Sequence, residues 1–215
     1  MTPITTVTNK GIIQGSCPSC YAELKTRHYI RMLREWEDGT PIEDRDYFKL
    51  FCILTDDKFT AFENTLENQV SLTNLLGWVI AEPFEFSDKP PKVLMFHGKP
   101  VDIPERPREL SIGQNIILRR DYIDKSKHLE ENVSIATAIY LQPLIDNSLF
   151  KISRAKEIAK EIDEMPINLI YPIGFFLLSR ALKFGEMPEK TLPQVKTNLR
   201  ATLKTMWRDW LKFTF

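Results

Sequence analysis

The sequence predicts a mainly α-helical fold of the α+β class. It places a small antiparallel β hairpin or sheet near residues 84–103 and a long amphipathic helix at the C-terminal end. Three observations carry this prediction. Apolar residues recur at three-to-four spacing through most of the chain. Between Phe84 and Ile103 that period gives way to imperfect alternation, bracketed by Pro90-Pro91, Pro104 and Pro107. From Leu192 to Phe213 the helical period is clearest. There Leu192, Val195, Leu199, Leu203, Met206, Trp207, Trp210 and Leu211 share one face, and Lys196, Arg200, Lys204, Arg208 and Lys212 recur on another.

Residues 1–16 are rich in Thr and Gly, show no period, and are expected as an extended N-terminal arm. Residues 17–215 are expected as a single helical domain carrying the β insertion at 84–104. Its first helix runs from about Cys20 to Glu37 and stops at Asp38-Gly39-Thr40-Pro41, a helix-ending Gly followed by a Pro that cannot continue. A second, Glu43 to Leu54, carries the stripe Tyr47, Leu50, Phe51 and Leu54, and Asp56-Asp57 are expected to open a further turn of helix. Ser71 is an N-cap candidate for Leu72 to Ala81. After the hairpin, with its turn at His97-Gly98-Lys99, Ser111 caps Ile112 to Tyr122, with Ile112, Ile116 and Ile117 on the apolar face. The next helix holds Ile135, Ile139, Leu141 and Leu144 and ends near Pro143. Ser153 starts another with Ala155, Ile158, Ala159 and Ile162. Pro166 opens the apolar helix Ile167 to Phe184, which Pro172 should kink or split.

The 215 residues include 29 Lys+Arg and 29 Asp+Glu, a net charge of zero. Such a chain has no global field to draw in nucleic acid, so a nucleic-acid partner is not expected; neutrality also eases association. Three cysteines make no disulfide framework, which points to a reducing, intracellular setting. The run Ile167 to Leu182 contains Asn168, Pro172, Ser179 and Arg180 and is expected as a buried helix, not a membrane span.

One short motif has chemical content, Cys17-Pro18-Ser19-Cys20. Paired thiolates can hold a metal or cycle as a dithiol. A structural zinc site needs four ligands, and Cys52 and His28 are the nearest complement, with His97 and His128 as further nitrogen donors. No second CxxC accompanies them, and free thiols at a helix start satisfy the same residues, so no metal or other cofactor is expected. There is no GxSxG, GxxxxGK[ST] or GxGxxG, and no catalytic residue stands out. The candidate binding residues lie on the last helix. Trp207, Trp210 and Phe213 suit an anchor that enters a groove, and Arg200, Lys204 and Arg208 suit an acidic partner surface.

Several segments carry a resemblance: HGKPVDIP (His97 to Pro104), LSIGQNIILRR (Leu110 to Arg120), IYLQPLID (Ile139 to Asp146), EMPINLIYPIGFFLLSRAL (Glu164 to Leu182) and the basic terminal helix. In this order they resemble a group of small proteins from the structural gene blocks of tailed bacteriophages, including crAss-like phages. DYFKLFCILTDDKF (Asp46 to Phe59) is similar to that group's N-terminal segment, with Asp56 where a Gly is usual. The resemblance covers about two-thirds of the chain and leaves out the first sixteen residues and the CxxC. It implies a non-enzymatic virion protein of the portal-tail region, structural or packaged as cargo, present in several symmetric copies and bound to other phage tail or portal proteins. Its place would be the tail or capsid interior, and the host cytoplasm during assembly. The alternatives are a tail-assembly chaperone absent from the finished particle, and an ejected effector with a small zinc site. No membrane partner is expected.

Overall fold

The computed structural model describes residues 1–8, 11–36, 44–60, 66–81, 86–87, 89–104 and 110–183. The protein is mainly α with small antiparallel β pairs. Its elements are β1 (Thr2–Thr8), β2 (Gly11–Cys17), α1 (Thr26–Glu35), α2 (Asp44–Leu54), α3 (Leu66–Ala81), β3 (Val93–Phe96), β4 (Lys99–Asp102), α4 (Ile112–Asp121), α5 (Val133–Asp146), α6 (Ile152–Asp163) and α7 (Ile167–Lys183). The long C-terminal helix expected over Leu192 to Phe213 lies outside the described residues.

The chain divides into two compact units, each assembled from separate stretches of sequence. Unit membership is set by packing between distant segments. Among the described residues, the first unit comprises Met1–Leu24 and the stretches from Glu35 to residue 81, and the second Lys25–Arg34 and the stretches from Phe86 to residue 183.

In the first unit, the stretch expected as an unpaired arm is extended but folded on itself. β1 and β2 form an antiparallel ribbon from Thr2↔Cys17 to Thr8↔Gly11. Its β-branched content (Ile4, Thr5, Thr6, Val7, Ile12, Ile13) is what a pleated strand accommodates best. The ribbon base rests on the core: a Cβ on Gly15 would sit 2.7 Å from the Phe59 ring. Phe59 meets Phe51 of α2 at 5.4 Å between centroids, among buried Leu50, Ile53 and Leu54.

The expected first helix is broken after one short 3-10 turn, Tyr21–Glu23, and resumes as α1. Leu24 at the break is extended and wholly buried. Tyr21 packs edge-on against Trp78 of α3 at 4.9 Å and donates its hydroxyl to the Val79 carbonyl at 2.8 Å. Asp56 and Asp57 do not open a helix turn. Both take positive φ (56° and 58°), and the Asp57 N–H reaches back to the Cys52 carbonyl at 2.8 Å. That six-to-one bond is the left-handed closure of α2, which short polar side chains tolerate. Ser71 lies inside α3, which starts at Leu66.

The second unit is organised around α5. Every residue from Val133 to Gln142 is buried, and α5 packs against both α6 and α7. α7 approaches closely because residue 174 is glycine: a Cβ there would lie 2.6 Å from the Val133 carbonyl oxygen. α7 runs unbroken through Pro172, and α5 through Pro143. α1 joins this unit through a β-bridge, Lys25↔Pro166, with the Thr26 N–H and hydroxyl both donating to the Met165 carbonyl at 2.8 and 2.9 Å. Lys25 and Arg27 pair with Glu164, and Arg34 with Glu131 at 2.9 Å. Phe86, Tyr171 and Phe175 stack on one another, and Tyr29 meets Phe86 and Tyr171 edge-on.

The expected hairpin is β3–β4, with His97 and Gly98 both at positive φ (49° and 73°), as a type I′ turn requires. The Ile103 N–H donates to the Lys92 carbonyl at 2.8 Å. By alternation, Pro100 then occupies a non-bonded pair, where its missing N–H costs the ladder nothing.

Candidate functional site

The thiols of the CxxC occupy different environments. Cys17, the last residue of β2, is completely buried. Burial pushes its thiol up to about 12, with the Met1 amino group opposing and Glu23 adding to the shift. A thiol held protonated is a poor metal ligand and a poor nucleophile. Cys20 is half-buried before the Tyr21 turn, Cys52 is buried in α2, and none of the three is in a disulfide. His28 is buried in α1, which belongs to the second unit. Among the described residues, no group of three or more His, Cys, Asp or Glu is placed to hold a metal ion.

Glu23 orders the CxxC segment. Its carboxylate accepts from the Met1 amino group and from the Ser19 N–H and hydroxyl, both at 2.8 Å. Those three donors, the amino group first, hold it down to about 2.

His97 sits at the β3–β4 turn, 2.9 Å from Glu161 of α6. Beside it lies an open cleft of about 540 Å³ lined by Phe96, Lys99, Leu144 and Arg154, among others. A second hollow of about 450 Å³ adjoins it, sharing Asp102 and Leu144. Arg154 is held by Asp146 at 3.3 Å and Glu157 at 2.9 Å, so its charge is already met. His128 is half-buried ahead of a 3-10 turn.

α4 departs most from expectation. The sequence assigns Ile112, Ile116 and Ile117 to its inward face; the structure leaves Ile112 75% and Ile116 54% exposed and buries Gln114 and Leu118. The reason is Pro143. A proline within a helix leaves the carbonyl four residues earlier without its N–H partner, here Ile139. The Gln114 amide fills that vacancy, donating to the Ile139 carbonyl at 2.8 Å. Its oxygen meanwhile accepts the Ser111 N–H at 2.9 Å, completing the capping box that starts α4. With Gln114 required inside, the isoleucines one turn apart face out.

The candidate binding residues Arg200, Lys204, Trp207, Arg208, Trp210 and Phe213 lie outside the described residues. Two surfaces escaped the sequence reading. One is the Ile112/Ile116 pair, whose only signal is the Pro143-to-Gln114 relation. The other is the β1–β2 ribbon, whose run of β-branched residues was legible as strand. No helix among the described residues is long and apolar enough to cross a membrane. Compared with known protein families, curated proteins and solved structures, the chain matches none.

Proposed function

We propose that this protein acts through protein contacts, without catalysis, as a component of the portal-tail region of a tailed phage particle. The observation that carries the reading is the exposed apolar face of α4. Leu110 to Arg120 is among the blocks that carry the phage resemblance, and its helix spends Ile112 and Ile116 on solvent. Adjacent apolar side chains held out on a capped helix suit a docking partner. The terminal segment adds a second contact, with Trp207, Trp210 and Phe213 as anchors and Arg200, Lys204 and Arg208 selecting an acidic surface.

Mass spectrometry of purified particles of the encoding phage tests the location: the chain is expected in the particle, in several copies. Absence from the particle, with retention on a tail-tube or tape-measure partner in infected cells, assigns it instead as an assembly chaperone. For the surface, Ile112→Lys with Ile116→Lys is expected to keep the helical circular-dichroism spectrum and melting temperature while blocking incorporation. Normal incorporation of that variant overturns the role given to α4. Truncation after Pro193 is expected to leave a soluble fold that does not assemble; an unfolded product would put the segment in the protein's own core.

A further inference from the structure

The β1–β2 ribbon has an uneven pair of edges. Two residues join the strands, so Thr8 and Gly11 are the closing hydrogen-bonded pair. Bonded and non-bonded pairs then alternate. Thr6–Ile13, Ile4–Gly15 and Thr2–Cys17 bond within the ribbon, and the N–H and C=O groups of Ile12, Gln14 and Ser16 point away from β1. On the opposite edge the outward positions are Pro3, Thr5 and Val7, and Pro3 has no N–H to offer. Among the described residues neither edge pairs with a further strand.

The faces differ as well. Ile4, Thr6, Ile13 and Gly15 are half-buried, whereas Thr5, Ile12 and Gln14 are exposed, with Ile12 at 67%. The devices that protect an edge strand are charge, proline and a bulge. β2 has none: its seven residues are Gly-Ile-Ile-Gln-Gly-Ser-Cys. β1 is also uncharged but carries Pro3. A two-stranded ribbon alone is marginal in water and gains from further strands as well as from the packing its base already has on Phe59.

We propose that the outer edge of β2 pairs with the same edge of a second copy, giving a four-stranded antiparallel sheet β1-β2-β2-β1 with a two-fold axis at Gln14. The outward groups of Ile12, Gln14 and Ser16 are self-complementary about that axis. Ile12 meets Ser16 of the partner subunit, and Gln14 meets Gln14 of the partner subunit. The charge pattern selects a second copy. Fourteen strand residues without a charge impose no like-charge penalty on self-pairing, and the whole chain has zero net charge. Pro3 blunts the other edge, so pairing closes at two copies. The inference stands on the ribbon alone and is independent of the phage reading.

Sedimentation velocity of the full chain across the micromolar range tests it. The wild type is expected to be dimeric, and Gln14→Pro, which removes the N–H on the axis, monomeric; Thr5→Pro, its counterpart on the other edge, should stay dimeric. Gln14→Lys and Gln14→Glu should each weaken the dimer about two- to fivefold, by placing like charges opposite each other. Mixing the two charged variants should restore the affinity, and both keep the ribbon's backbone donors should the proline variants fail to fold. Hydrogen exchange at Ile12, Gln14 and Ser16 should slow with concentration, and at Thr5 it should not. A monomeric wild type, or a dimer indifferent to charge at position 14 and to its mixing, overturns the proposal.

Discussion

Gln114 occupies both ends of its amide, and the second end exists only because of a residue in another helix. Its oxygen closes the capping box on Ser111, and its nitrogen satisfies the Ile139 carbonyl that Pro143 leaves unpaired. Gln114→Ala is therefore expected to cost about 2–4 kcal/mol. Roughly half would come from the cap and half from a buried carbonyl left without a donor. In a Pro143→Ala background Ile139 regains a helical partner, so the same substitution should cost only the cap. Urea denaturation of the four proteins in this cycle measures the coupling. Glu23 carries a pH dependence at the same scale. Its folded pKa is held at about 2, below the ordinary 4.5, so its contribution is complete above 4.5 and is lost as pH falls toward 2. Asp163 works the other way: burial raises its pKa despite the hydroxyl donated by Ser134 at 2.6 Å, so protonation there favours the fold. Glu23→Gln is expected to flatten the fall in melting temperature between pH 5 and 2.

Among the elements, periodicity located the helices well where the chain obeys local rules. α2 and α4 begin and end within a residue or two of expectation, and α6 begins within one. The failures have two causes: a local signal overruled from a distance, and a local signal misread. Pro143 read as a terminator and Pro172 as a kink or split, yet α5 and α7 run through them; at Pro143 the Gln114 amide meets the carbonyl that the proline leaves without its helical donor. Asp56-Asp57 read as a helix start but close α2 in left-handed geometry. The β1–β2 ribbon read as an arm because Thr and Gly suggest loops, whereas its β-branched alternation is strand chemistry. The CxxC, the one motif with chemical content, proves to be a strand end and a turn start. Burial keeps Cys17 protonated, and Glu23 organises what lies between the thiols.

Across the whole molecule, each unit draws on distant sequence, and α1 shows the consequence. It lies between segments of the first unit in sequence but belongs to the second. There it supplies the bridge to Pro166, the Thr26 bonds to Met165 and the buried Tyr29 and Ile30. A fragment spanning 86–192 is therefore expected to be loosely packed, with weak near-ultraviolet circular dichroism and strong dye binding. A peptide covering 22–36 added to it should restore the tertiary signal. A fragment that folds natively by itself would show α1 to be dispensable.

The sequence by itself determined the mainly helical class, the small hairpin at His97-Gly98, the Ser111 cap and the apolar stripe of α2. All of these rest on propensity and on contacts within a few residues. Only the tertiary structure decided which face of α4 meets solvent, which thiol is buried, and which stretches of chain make up each unit. Those outcomes depend on the hydrogen-bond needs and packing of groups far apart in sequence. The exposed isoleucines of α4 are a local apolar pattern turned outward by one proline in α5.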